Sequence, residues 1–349
     1  RDFGVTLAER LGRLIGTTGP ISLAAYMAEA NAAYYTSRDP LGEGGDFITA
    51  PEVSQMFGEM IGLWLADRWL NAGQPDPVAY VELGPGRGTL AVDALRAMAR
   101  FGLRPQVHFV ESSPVLAGLQ RAAVPNAAWH ADPGSLPDGL PLLVVANEFL
   151  DALPVRQLVR TESGWRERLV GLEEGRFVPV AGHRPMDAAV PAERAGAGPG
   201  AIIETCPAAA AVVGDMARRL AAQGGAALLI DYGYAEPAFG SSLQAVQGHQ
   251  KVDPFADPGS ADLTALVDFS AAAAVAVAGG ARHLGTLEQG AFLGAMGIVE
   301  RAAALAQARP DQAGVLGRAL ERLTSPDEMG TLFKVMGLAA SGWTGGMIF

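Results

Sequence analysis

The sequence predicts an α/β fold built on a mostly parallel sheet and entered through helices, on three observations. From residue 78 onward, short apolar runs alternate with segments of helical periodicity. A glycine-rich turn, Gly84-Pro85-Gly86-Arg87-Gly88, joins the first of these runs to the helix after it. Residues 1–75 carry helical spacing broken by one glycine-rich loop.

In chain order, Leu7, Leu11, Leu14 and Ile15 repeat at helical spacing, and residues 21–35 form a second helical segment. Pro40 and the glycines of 42–45 then interrupt regular structure. A third helix is expected from Thr49, with Thr49 as cap, Glu52 reciprocating and Pro51 in the first turn. Val53, Phe57, Met60, Ile61 and Trp64 give it an apolar stripe.

Strands are expected at 78–83, 106–111, 127–130 and 142–146, with a helix from the glycine turn to Phe101 and a short one after Pro114. Residues 157–178 read as an inserted hairpin turning near Ser163-Gly164, and 183–200 as a loop. Ile202-Ile203 resumes a strand, followed by an alanine-rich helix and a strand at 227–231. Residues 232–258 read as a structured loop and 263–277 as a helix; strands at 283–287 and 332–338 flank two more helices, 291–308 and 317–323. The organisation expected is a helical region over 1–75 packing on a core over 76–349, with insertions near 155–180 and 232–278.

Composition narrows the functions. A 49% hydrophobic, 18% charged chain of 349 residues is not disordered, and 26 Lys+Arg against 37 Asp+Glu, a net −11, discourages nucleic-acid binding. No apolar stretch reaches the roughly 20 residues of a membrane helix, so no stable membrane insertion is expected. Cys206, the single cysteine, supplies neither an intramolecular disulfide nor a multi-cysteine metal site, and its apolar setting favours a buried small side chain. Asp253, Asp257 and Asp262 do not reproduce an EF-hand, and no metal is expected. The first residues lack a signal-peptide pattern; the expected location is cytoplasmic in a bacterium, or mitochondrial after removal of a targeting segment.

The segment Glu82-Leu83-Gly84-Pro85-Gly86-Arg87-Gly88 follows a strand and opens a helix, where glycines let backbone amides approach a ligand. A dinucleotide fingerprint needs glycine at the position held by Thr89. The arrangement instead resembles the acidic-x-Gly-x-Gly-x-Gly segment of class I S-adenosylmethionine-dependent methyltransferases. Gly84, Gly86 and Gly88 would shape the cofactor turn. Glu111, at the next strand end, would accept from the ribose hydroxyls, with helix capping as the alternative. Asp132 would accept from the adenine amino group or serve a Pro-Gly turn, and Glu82 would organise the loop or meet the methionyl portion. Asn147, ending the fourth strand, joins this cofactor set.

Beyond it, Glu148 and Asp151 have the i, i+3 spacing at which a helical turn would bring two carboxylates onto one rim for a guanidinium; an exposed pair or loop caps are the alternative. Here the sequence closely resembles the MidA family, which includes a mitochondrial methyltransferase involved in complex I assembly. The passages carrying the resemblance are Gly45-Asp46-Phe47-Ile48-Thr49-Ala50-Pro51-Glu52-Val53-Ser54, Val81 to Gly88, Asn147-Glu148-Phe149-Leu150-Asp151-Ala152-Leu153-Pro154, Ile230-Asp231-Tyr232-Gly233-Tyr234 and Asp257 to Thr264, across nearly the whole chain.

The resemblance implies a Rossmann-like class I methyltransferase core with a helical N-terminal extension and inserted segments. It further implies S-adenosylmethionine as cofactor and a protein arginine, in a respiratory complex I subunit, as methyl acceptor. Glu148 and Asp151 would be the catalytic acids, although this loop departs from the double-glutamate loop of other arginine methyltransferases. Asp46, Phe47, Tyr232 and His249 are the expected substrate contacts, each with a purely structural alternative. Rival readings are a small-molecule or protein-lysine methyltransferase, and a cofactor-binding assembly factor with little catalysis.

Overall fold

The structure is a computed structural model that describes residues 5–37, 49–248 and 250–349. The chain forms two compact units, one of residues 1–38, 151–209 and 236–266, the other of 39–150, 210–235 and 267–349.

The larger unit is an α/β layer structure. Its main sheet runs in the order Arg282–Glu288, Phe333–Ala339, Gly225–Tyr234, Leu142–Asn147, Ala79–Leu83, Gln106–Val110, Ala128–His130. The last five of these are mutually parallel, while Phe333–Ala339 lies antiparallel to both its neighbours. The central strands are apolar runs because both faces are covered, and Ala79 to Val81 and Leu142 to Val145 are fully buried.

Helix Gln55–Asn71 packs on helix Thr89–Ala99 with unusually close backbones. A Cβ at Gly62 would stand 2.4 Å from the carbonyl oxygen of Ala94, so only glycine fits that crossing. The expected third helix divides in two. Thr49 precedes a short helix, Ala50–Val53, without a side-chain cap bond, and Ser54 Oγ accepts from Met56 N to start the longer one. Glu52 does not reciprocate to Thr49; its carboxylate accepts from Thr89 Oγ1 at 2.6 Å.

Buried Arg68, facing the Trp64 ring at 4.9 Å, donates to the carbonyls of Thr344, Gly345, Met347 and Ile348, fixing the last residues described.

In the smaller unit the expected hairpin is present, Arg156–Thr161 with Gly164–Glu173, and it continues into a third strand, Arg176–Pro185. Ile202–Thr205 joins this sheet beside Arg156–Thr161, and Ile21–Ser22 adds an edge on Gly164–Glu173. Helices Leu7–Thr18 and Leu23–Ser37 share an apolar cluster with the sheet through Leu11, Ile15, Tyr26, Met27, Val170 and Phe177.

The segment expected to be a loop over 232–258 supplies strands Gln244–Gln247 and Gln250–Val252, which form a small sheet with Asp262–Thr264. The helix expected over 263–277 is therefore shorter, Phe269–Ala278. Local apolarity could not reveal this, because the strand is fixed from far away. Buried Asn31 accepts from Leu263 N at 2.9 Å and donates to Leu263 O at 2.8 Å, completing the ladder as a neighbouring strand would. Half-buried Cys206 bonds the carbonyl of Pro154 and accepts from Ala209 N, and burial pushes its thiol up.

Among the described residues no helix is long and apolar enough to cross a membrane, and no group of three or more His, Cys, Asp or Glu side chains is placed to hold a metal ion.

Candidate active site

The carboxyl ends of the parallel strands in the larger unit gather the polar groups expected for a cofactor, as the switch region of an α/β sheet commonly does. Gly84, Gly86 and Gly88 all adopt positive φ, at 63°, 56° and 83°. Gly84 N donates to Val110 O at 3.0 Å, tying this turn to the next strand end. The Phe149 ring covers Gly84 so closely that a Cβ there would stand 2.7 Å from Cδ2. Helix Thr89–Ala99 starts from left-handed Gly88, and its entrance carries amide donors.

Glu82 is buried in its strand and accepts from Tyr80 Oη at 2.6 Å. Burial pushes its carboxyl up to about 8, with the tyrosine bond opposing. Glu111 follows the neighbouring strand and is partly buried. Its Oε1 accepts from Ser113 N at 2.7 Å and its Oε2 from Gln120 Nε2 at 3.0 Å. Burial raises this carboxyl and those donors act against the rise. Asp132 is exposed and caps a short 3-10 turn, accepting from Gly134 N at 2.8 Å. Arg219 steadies that loop through the carbonyls of Gly134 and Leu136.

Asn147 ends the fourth parallel strand with Nδ2 donating to Glu148 Oε1 at 3.1 Å. Its Oδ1 is buried and has no hydrogen-bond partner among the described residues. Glu148 stands at φ 51°, a conformation that bulky L residues rarely adopt. Its amide donates to Ile230 O and its Oε1 accepts from Ala50 N at 3.0 Å. The helical turn expected to join Glu148 to Asp151 does not form, because the left-handed residue breaks it. Asp151 falls in the other unit. There it is buried, and desolvation pushes its carboxyl up to about 7 while the amides of Asp151 and Ala152 oppose. In the same unit Tyr35 donates to Asp262 Oδ2 at 2.9 Å, with its phenol well above the ordinary range through burial and the nearby acids.

Tyr232 is partly buried with its ring 4.0 Å from that of Phe333. Asp46, Phe47 and His249 lie outside the described residues.

Two side chains here were missed by motif reading. Asp231, 1% exposed, accepts from Phe149 N at 3.1 Å and Leu150 N at 2.8 Å through Oδ2, and from Tyr232 N at 2.9 Å through Oδ1, so it anchors the turn carrying Glu148. Gln120, fully buried, bonds both Gly86 and Glu111. The first lay in a passage that carries the family resemblance, where only Tyr232 was assigned a site role; the second showed only as a polar residue inside an amphipathic helix.

The donor set suits an adenosyl amino-acid cofactor. Three turn glycines leave the backbone open to close approach, the Glu111 carboxyl stands at the end of the neighbouring parallel strand, and the buried amide oxygen of Asn147 lacks a protein donor. Known proteins point the same way. The family model described as "Putative S-adenosyl-L-methionine-dependent methyltransferase" matches residues 60–287. The chain is 37% identical to the Drosophila melanogaster protein arginine methyltransferase NDUFAF7 homolog, mitochondrial, over 95% of this chain and 84% of that protein. To the human protein arginine methyltransferase NDUFAF7, mitochondrial, it is 35% identical over 93% and 81%. A Burkholderia thailandensis crystal structure with S-adenosyl-homocysteine bound superposes with TM-score 0.85 at 32% identity, covering 98% of this chain and 93% of that one.

Proposed function

Since the chain belongs to the S-adenosyl-L-methionine-dependent methyltransferase family, we propose that it methylates an arginine guanidino nitrogen of a protein, a respiratory complex I subunit being the acceptor to test first. The arginine class is supported by relatives named as protein arginine methyltransferases. The observation that carries the reading is Glu148, a carboxylate on a strained turn whose next residue, Phe149, packs on the glycine turn. The location proposed remains cytoplasmic in a bacterial host and mitochondrial in an organellar one.

The cofactor, when bound, supplies an electrophilic methyl group on sulfur. Gly84, Gly86 and Gly88 hold its polar portion against backbone amides, Glu111 accepts from the ribose hydroxyls, Asp132 from the adenine amino group, and Asn147 Oδ1 from the amino-acid end. Glu82 supports the turn from within its strand. Glu148 pairs with the guanidinium, where a carboxylate fixes the plane of the acceptor as well as its charge, and so aligns the attacking nitrogen. Asp151 is a second proposed substrate acid, with its carboxyl raised above the ordinary range by burial. Asp46, Phe47, Tyr232 and His249 remain proposed substrate contacts.

The test is methylation of a complex I preparation with isotopically labelled S-adenosyl-L-methionine, followed by mass mapping. Label on an arginine of one subunit is the expected result. Label confined to lysine or to small molecules would overturn the arginine assignment while leaving methyl transfer intact.

A further inference from the structure

We infer that Gln120, which lies outside the proposed ligand contacts, is a positioning residue that locks Glu111 and the glycine turn into the arrangement needed for ribose recognition. The inference rests on the proposal that Glu111 accepts from the ribose hydroxyls.

Gln120 sits on helix Pro114–Ala123 and is fully buried, on a helix whose inner face otherwise presents Leu116 and Ala117. A leucine would serve such a face for packing alone, so a buried primary amide needs a polar reason. Its three bonds supply one. Nε2 donates to Gly86 O at 2.8 Å and to Glu111 Oε2 at 3.0 Å, while Oε1 accepts from Trp129 Nε1 at 3.0 Å.

The indole N–H can only donate, and the carbonyl of Gly86 can only accept. The amide orientation is therefore determined: flipping it would set its NH2 against the indole and its oxygen against a carbonyl and a carboxylate. Trp129 is itself held, edge-on to Phe109 at 6.0 Å and beneath the Arg121 guanidinium at 4.8 Å. One side chain thus couples three successive parallel strand ends: the turn after Ala79–Leu83, the acid after Gln106–Val110, and the aromatic of Ala128–His130.

The two oxygens of Glu111 are gripped from different sides, Oε1 by Ser113 N and Oε2 by Gln120. A carboxylate oxygen accepts more than one bond, so these donors aim the group without consuming it. Without Gln120, the carboxylate can rotate about its last bond and the Gly86 carbonyl loses a buried donor. The loss should fall on ligands that offer ribose hydroxyls.

The experiment measures, on the full chain by calorimetry, the Kd of S-adenosyl-L-homocysteine and of its 2′,3′-dideoxyribose analogue. Gln120→Met preserves volume and removes the donors; Gln120→Glu preserves shape but turns an acceptor toward Glu111 and Gly86, so one folded variant suffices. The expected result is an affinity loss of about tenfold for S-adenosyl-L-homocysteine, the size of one charge-assisted bond, and under about threefold for the dideoxy analogue. Glu111→Gln should lose the same preference, and Glu111→Gln/Gln120→Met should lose little more than Glu111→Gln alone. Equal losses for the two ligands in the Gln120 variants would mean a merely structural amide and overturn the inference. If Glu111→Gln itself shows no hydroxyl-dependent loss, the ribose reading fails first and takes the inference with it.

Discussion

Replacing Asp231 by Asn tests whether the Glu148 turn is held in a working conformation from a neighbouring strand. The carboxylate accepts three main-chain amides, two through Oδ2 and one through Oδ1, at 2.8 to 3.1 Å. Asparagine retains one oxygen. Facing it toward Phe149 N and Leu150 N sets the new NH2 against Tyr232 N–H, and the opposite rotamer sacrifices both turn bonds. A charge-assisted bond contributes about 1.5–3 kcal/mol, so losing one and neutralising two weakens the turn by roughly 3 kcal/mol. The left-handed backbone at Glu148 costs about 1–2 kcal/mol and persists only while such anchors outweigh it. The variant should relax there and displace the carboxylate from its bond to Ala50 N. Single-turnover methyl transfer to the mapped acceptor should fall about 100-fold, a misplacement effect, with S-adenosyl-L-homocysteine affinity changed by less than about threefold. A folded Asp231→Asn protein transferring methyl at the wild-type rate would refute the reasoning.

The remaining expectations address the acids and the buried arginine. Glu148→Gln should depress single-turnover methylation by about tenfold or more while sparing cofactor affinity, since the amide oxygen can still accept from Ala50 N but no longer pairs with a cation; equal damage to both quantities would count against a substrate role. Arg68→Met leaves four main-chain carbonyls without their cationic donor, which should cost about 3 kcal/mol and lower the melting midpoint by roughly 6–12 °C, read by calorimetry. An unchanged midpoint would show that the 344–348 segment is held by other contacts. Glu82 has a folded-state pKa of about 8, above its unfolded value, so the unfolded chain releases its proton first and stability should fall as pH rises from about 4.5 to about 8. Glu82→Gln should flatten that decline in denaturant titrations at several pH values; an unaltered slope would mean that the carboxyl ionises normally.

Parallel register explains why some of the site was legible in the sequence and some was not. The glycine turn, Glu111 and Glu148 each follow an apolar run, and a strand end followed by a polar residue is a local signal. The side chains that aim them come from pairing between distant segments. Ile230 stands opposite Asn147, so the next residue on that strand, Asp231, meets the amides of the turn that follows Asn147. Leu83 stands opposite Val110, which brings Gly84 to the Val110 carbonyl and the turn alongside Glu111. Gln120 then reaches both from one helix. None of these relations has a period or spacing in the chain. The same cause accounts for the reading of 263–277 as one helix, since Asp262–Thr264 is drawn into a sheet by Gln244–Gln247 and bonded by Asn31 rather than by its own propensity. A motif therefore locates the acids, but their direction is set by strand register, and it is direction that makes a carboxylate at a sheet end a ligand-binding group rather than a loop cap.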